Sequence, residues 1–241
     1  MPGHNIPFVV VGTLILVFGW FGLTGGSILS GTDLQLGTVI VNTTLAAFGG
    51  ALAAMIYLLA TVKRPDPTMM CNGIIAGLVA VSAGCPFIEP WAALLVGAVA
   101  GVLVIISVFF WDKAGVDDPV GALSMHLTAG IWGVLAVGLF ATGKFGSAWN
   151  GVVRGDYNKL SGADGVRGLF YGDASQLVAQ LIAATVLTIF GFITAYVLFK
   201  ISSMITPLRV TRESELQGLD GTEMGTLAYP DFAMKSSTLD A

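Results

Sequence analysis

Apolar residues run through this chain in long, nearly uncharged stretches, and the charged positions between them are few and clustered. A helix needs about 20 such residues to cross a hydrocarbon layer roughly 30 Å thick. By that measure the pattern predicts spans at 6–30, 36–62, 72–88, 91–111, 119–143 and 175–205. The expected fold class is therefore an all-α integral membrane protein with six transmembrane helices. The third segment is the shortest, because Pro86 and Glu89 cut it off, so other helices or a vestibule must cover its end. After Pro207 the apolar pattern stops. The stretch RVTRESELQGLDGTEMGTLAYPDF reads as a polar extension, which divides the chain into a transmembrane domain over 1–206 and a tail over 207–241.

Composition supports the same reading. Charged residues make up 11% of the chain and hydrophobic ones 55%, against roughly 25% charged in an ordinary soluble domain. Only five charges, Asp33, Lys63, Arg64, Asp66 and Glu89, fall in the first 111 residues. No basic, aromatic-interleaved stretch exists to follow a phosphate backbone, so nucleic acid is not an expected partner. The opening apolar run lacks a basic flank and is too long for a signal peptide, so it reads as a span. On one helix Cys71 and Cys85 would stand about 21 Å apart, well beyond the roughly 4.4–6.8 Å between Cα atoms that a disulfide bridges.

Six spans put both termini on one side. Lys63, Arg64, Lys113, Lys200, Arg209, Arg212 and Lys235 share that side, while the loops 31–35 and 89–90 carry no basic residue. The positive-inside rule makes it cytoplasmic, against the weight of Lys144, Arg154, Lys159 and Arg167 in the long 144–174 loop. Trp149, Tyr157, Phe170 and Tyr171 in that loop suit an interfacial aromatic belt. Glycine pairs at helical spacing, Gly73/Gly77, Gly97/Gly101 and Gly130/Gly133, suit close helix packing in lipid.

One ionisable side chain lies deep inside a predicted span: His126. With Asp118 as N-cap and Pro119 at the first helical position, it sits about 10 Å into the helix. Gly130 and Gly133 would share its face. Its imidazole is either a neutral group bonded to a neighbouring helix or the polar lining of a passage, where it can donate from one nitrogen and accept at the other. On the first span Trp20, Leu23, Thr24 and Ser27 form one helical stripe. Such a stripe could receive a cation through a ring face and a hydroxyl, although an interfacial Trp and a capping Ser account for the same residues. No zinc, nucleophile-elbow or phosphate-loop motif is present, His4 and His126 make no metal cluster, and the adjacent Asp117 and Asp118 read as a helix cap. Neither an enzyme nor a cofactor is expected.

The segment PGHNIPFVVVGTLILVFGWFGLTGGS closely resembles the sixth span of ammonium transporters, and VDDPVGALSMHLTAGIWG resembles their tenth. The similarity extends through NTTLAAFGGALA, CNGIIAGLVAVSAGCPFIEPW and RVTRESELQGLD, and covers the second half of that family. It implies spans six to eleven of an eleven-span, inverted-repeat fold that assembles as a trimer with one pore per subunit, and hence a fragment without the first five spans. It implies further that His126 is one of two pore histidines, Ser27 the hydroxyl of the outer ammonium site, and Trp20 a pore-lining tryptophan. Leu23 departs from the family, which has a phenylalanine gate there. The implied function is ammonium transport across the cell membrane: ammonium is recruited outside, deprotonated, and passed as ammonia along the histidines. The tail from Glu213 to Asp220 is implied to help a PII-type signalling protein dock. The alternatives are a self-standing six-span pore for another small solute and a non-conducting remnant.

Overall fold

A computed structural model describes residues 5–29, 31–144 and 166–227. Trp149, Tyr157, Arg154, Lys159 and Lys235 lie outside them, as does His4. The described residues are almost entirely helical, and their sole β feature is an isolated bridge between Thr142 and Arg167.

Six apolar helices follow one another: α1 (Ile6–Gly26), α2 (Gln35–Thr61), α3 (Pro67–Ser82), α4 (Pro90–Lys113), α5 (Ala129–Phe140) and α6 (Ala174–Ile205). A short polar helix, α7 (Arg212–Gln217), follows in the tail. Four of them, α1, α2, α4 and α6, are long and apolar enough to cross a membrane. The 16 residues of α3 rise only about 24 Å, and α5 gains length from a π-helical turn, Ser124–Thr128, that leads into it.

Local signals set most of the boundaries. The Asn5 side chain accepts from the Phe8 N–H at 3.1 Å to open α1, and the Asp33 carboxylate accepts from Gln35 N–H at 2.8 Å to open α2. The expected third span, 72–88, is displaced: Asp66 accepts from the N–H groups of Thr68 and Met69, and Pro67 starts the helix before the apolar run begins. Past Ser82 the chain leaves the helix in a run of turns around Pro86. The expected fifth span, 119–143, is shortened at both ends. Pro119 lies in a turn rather than at the first helical position, because the chain reverses at Gly121 (φ +76°), and Ala141 is already extended (ψ 130°). The tail, read from the sequence as a polar extension, contains α7, which the Thr211 hydroxyl opens by accepting from Ser214 N–H at 3.2 Å.

Residues up to Val186 make one compact unit and those from Leu187 onward a second, with α6 running through both. In the first unit α2, α3 and α4 form the centre, α1 packs on α2 and α3, and α5 packs on α3 and α4. The centre is close because its seams are backbone on backbone. A Cβ on Gly50 would collide with the Gly73 carbonyl, one on Gly77 or Gly97 with the Ala46 carbonyl, and one on Gly101 with the Gly50 carbonyl. Small residues thus do the packing that large apolar ones do in water-soluble cores. Within this seam Asn42, fully buried, donates to the carbonyls of Cys85 (2.8 Å) and Ile88 (2.9 Å), which the break between α3 and α4 would otherwise leave unpaired. Cys71 and Cys85 are both free thiols.

The outer helices are different. Of α1 only Thr13, Thr24 and Gly25 are buried, and α6 buries no residue. Phe8, Phe18, Phe190 and Phe192 are among the exposed side chains. In a chain this apolar, such faces are covered by lipid or by further protein.

Candidate functional site

Two polar features interrupt the apolar helices, one on α1 and one ahead of α5. On α1 the stripe Trp20, Leu23, Thr24 and Ser27 splits. The Trp20 indole Nε1 donates to the Ser82 hydroxyl on α3 at 2.9 Å, and Ser82 donates onward to the Leu78 carbonyl at 2.7 Å. Thr24 is turned inward, donating to the Trp20 carbonyl, with its hydroxyl 3.1 Å from that of Thr43, whose proton is shared with the Val39 carbonyl at 2.7 Å. Leu23, 56% exposed, and Ser27 remain on the open face. The Ser27 hydroxyl donates to the Leu23 carbonyl at 2.7 Å. Its one proton is therefore engaged, and its lone pairs stay available to accept from a donor outside the helix.

The second feature is the π turn that carries His126. Ahead of it the Asp118 carboxylate accepts from the N–H groups of Leu123 (3.0 Å) and Ser124 (3.2 Å) and from the Ser124 hydroxyl (3.2 Å). Asp118 thus caps the helix from beyond the Pro119–Gly121 turn. From α3, Asn72 Nδ2 donates to the Val120 carbonyl at 3.3 Å and steadies that turn. Ser124, Met125 and Ala129 are buried, whereas His126 is exposed and its imidazole has no hydrogen-bond partner among the described residues.

A π turn contains one residue more than the α-helical turn it replaces, and each residue rotates a helix by about 100°. The extra residue explains why Gly133 does not share the face of His126, as α-helical spacing suggests. A Cβ on Gly133 would strike the Ala80 carbonyl on α3, while His126 stays open. Helix α3 is the element that both features adjoin, through Ser82 at the first and Asn72 at the second. Among the described residues, no group of three or more His, Cys, Asp or Glu side chains could hold a metal ion.

The sequence pattern picked out Trp20 and His126 but missed their settings: Ser82 and Thr43 behind α1, and Ser107, whose hydroxyl meets that of Thr128 at 2.8 Å at the end of the π turn. The one available signal was the presence of hydroxyl and amide side chains inside otherwise apolar spans.

Over residues 1–229 the chain matches the model of the Ammonium Transporter Family. It belongs to that family. It is 39% identical over 239 residues to the ammonium transporter Amt2 of Archaeoglobus fulgidus, covering 99% of this chain and 49% of that protein. With an ammonium transporter of Bacillus subtilis it shares 36% identity, over 95% of this chain and 52% of the other. Among solved structures it resembles a sensor Amt protein with a TM-score of 0.76 and 32% identity, over 91% of this chain and 49% of that one. The fold also matches Candida albicans Mep2, with a TM-score of 0.73 at 22% identity. The chain spans about half the length of the ammonium transporters it matches. It is an all-α, multi-pass membrane chain with the fold of one half of such a transporter, and the open faces of α1 and the π turn are faces of that half.

Proposed function

We propose that this chain supplies one half of an ammonium-conducting pore, with Ser27, Leu23, Trp20 and His126 on its wall. The observation that carries the reading is the unpartnered, exposed imidazole of His126 in a chain of this family. A polar group on an apolar helix facing lipid alone costs on the order of a few kcal/mol, whereas the wall of a passage uses it.

In this reading the acceptor lone pairs of Ser27 and an aromatic face bind ammonium at the outer end. Leu23 is the apolar plug at which the ion gives up its proton to water, leaving neutral ammonia. His126 then hydrogen-bonds ammonia along the way. Potassium has no proton to lose, and a bare ion entering a narrow apolar passage pays the full desolvation cost. The protein acts as a transporter and not as an enzyme, needs no cofactor, sits in the cell membrane with both termini cytoplasmic, and works as a homotrimer in which the other half of the fold completes each pore. The tail around Glu213–Asp220 is the proposed contact for a PII-type signalling protein.

The test is methylammonium uptake in cells lacking their own ammonium transporters. The chain alone should give none. Co-expressed with the first half of Archaeoglobus fulgidus Amt2 it should give uptake that His126→Ala impairs without loss of assembly. Robust, His126-dependent uptake by the chain alone would instead favour a self-sufficient six-span oligomer.

A further inference from the structure

The hydrogen-bonded threonine hydroxyls of α1, α2 and α6 share one habit. Thr13, Thr24, Thr43, Thr44, Thr61 and Thr185 each donate to the carbonyl four residues back, the ordinary resting place of a helical hydroxyl. Thr128 does not. It lies in the π turn, and its hydroxyl reaches across to Ser107 on α4 at 2.8 Å. The contact closes the far end of the turn, as the Asp118 carboxylate closes the near end through Leu123 and Ser124. His126 sits between the two anchors with no hydrogen bond of its own among the described residues.

We infer that the Ser107–Thr128 hydroxyl pair is a positioning device for His126, holding the π turn open and so fixing the direction in which the imidazole projects. Ser107 and Thr128 are positioning residues and touch no substrate themselves. The inference rests on the proposed conduction past His126 for its consequence, though not for its geometry. A π turn is intrinsically less favourable than the α-helical turn it replaces and persists where surrounding contacts hold it. Without the cross-helix bond Thr128 can return to the common back-bonded state, the turn can tighten, and one residue of register rotates the imidazole by about 100° relative to the buried neighbours that anchor α5. The buried Ala129 and the close seam of Gly133 on the Ala80 carbonyl keep α5 itself seated while this happens. The expected phenotype is therefore misdirection of one side chain rather than loss of the fold.

The experiment uses the protein together with the complementing half, in lipid nanodiscs for the spectra and in sealed proteoliposomes for uptake, with labelled histidine and the His126 signal assigned by its loss in His126→Ala. Thr128→Val should shift the His126 imidazole resonance and lower maximal methylammonium uptake by up to about 100-fold, the scale of a misplacement of about 1 Å, with little change in half-saturating concentration. Ser107→Ala, which removes the same bond from α4, should do likewise, and Thr128→Ser should keep the wild-type signal. The exchanged pair, Ser107→Thr with Thr128→Ser, should also retain it. A Thr128→Val or Ser107→Ala protein that assembles with an unmoved His126 resonance and normal uptake would overturn the inference, as would an exchanged pair that shifts as far as Thr128→Val. Shifted resonances in an assembly that conducts nothing even as wild type would leave the positioning device standing and defeat the transport reading instead.

Discussion

The indole of Trp20 donates to the hydroxyl of Ser82 at 2.9 Å, across 62 residues of sequence, and so ties α1 to the last turn of α3. Helix α1 has little else to hold it, since only Thr13, Thr24 and Gly25 are buried. Trp20→Phe keeps an aromatic side chain, smaller than the indole, and removes the donor. It should lower stability by about 1 kcal/mol, because Ser82 keeps its own bond to Leu78. Ser82→Ala should cost more, since it leaves the half-buried indole N–H unpaired. Thermal unfolding of the two variants in the same lipid will check the order.

Gly130 and Gly133 look equivalent in the sequence and differ in the structure. A Cβ on Gly133 would collide with the Ala80 carbonyl, a backbone atom that cannot step aside, whereas one on Gly130 would meet only a Val79 methyl at 3.8 Å. Gly133→Ala should destabilise by about 1–3 kcal/mol, and Gly130→Ala should be neutral or slightly stabilising, because glycine inside a helix costs roughly 0.5–1 kcal/mol relative to alanine. Comparable melting temperatures for the two would contradict the close α3–α5 seam.

The apolar segments were legible because lipid demands long uncharged runs and nothing else in the chain imitates them. The start of α3 was not. Lys63, Arg64 and Asp66 end the uncharged run before it, and treating charge as a boundary hid that Asp66 is the cap of the next helix. The setting of His126 was missed for a different reason. No residue type in SMHLT marks a π turn, so α-helical spacing put Gly133 beneath the imidazole when the extra residue carries it elsewhere. The α1 stripe was periodic as read, but Thr24 within it faces Thr43 and not the open side. Partners such as Ser82 and Ser107 lie far away in sequence, and only the packing of α1 on α3 and of α4 on the π turn brings them in.

Asn42 joins the two ends of the break between α3 and α4 through its bonds to the Cys85 and Ile88 carbonyls. Asn42→Leu is close in size and strands both acceptors in a site with no exposure. Each buried unpaired group costs about 1–3 kcal/mol, so for two of them a loss of about 2–6 kcal/mol is expected, with faster proteolysis between Gly84 and Glu89. Wild-type melting and wild-type cleavage would show that the break holds without Asn42.

The distribution of Lys and Arg makes a topological prediction. A reporter joined after Ala241 and another inserted beside Lys63 should both read out on the cytoplasmic side, and one inserted at Asn150 on the opposite side. Four basic residues in the 144–174 loop pull against this arrangement, so the insertion at Asn150 is the most demanding of the three. A C-terminal reporter outside the cell would reverse the orientation.

In the tail, Arg209 forms a two-pronged pair with Glu215, Nε to Oε1 and Nη2 to Oε2 at 3.0 Å, which folds the chain back onto α7. Hydrogen bonding from Arg209, aided by its charge, holds the Glu215 carboxyl below the usual glutamate range. A depressed carboxylate contributes order that is fully present above its unfolded pKa and is lost as pH falls through the lower, folded value. The pair is open to solvent, so its effect is local and screened by salt. Acidification below the ordinary glutamate range should therefore loosen α7 while α1–α5 stay intact, and Glu215→Gln should show the loosened α7 already at neutral pH. Amide exchange at Ser214 and Gly218, whose N–H groups close the two ends of α7, follows this directly. Protection factors there, with the intrinsic pH dependence of exchange divided out, that ignore both pH and the substitution would mean that Thr211 alone holds the helix.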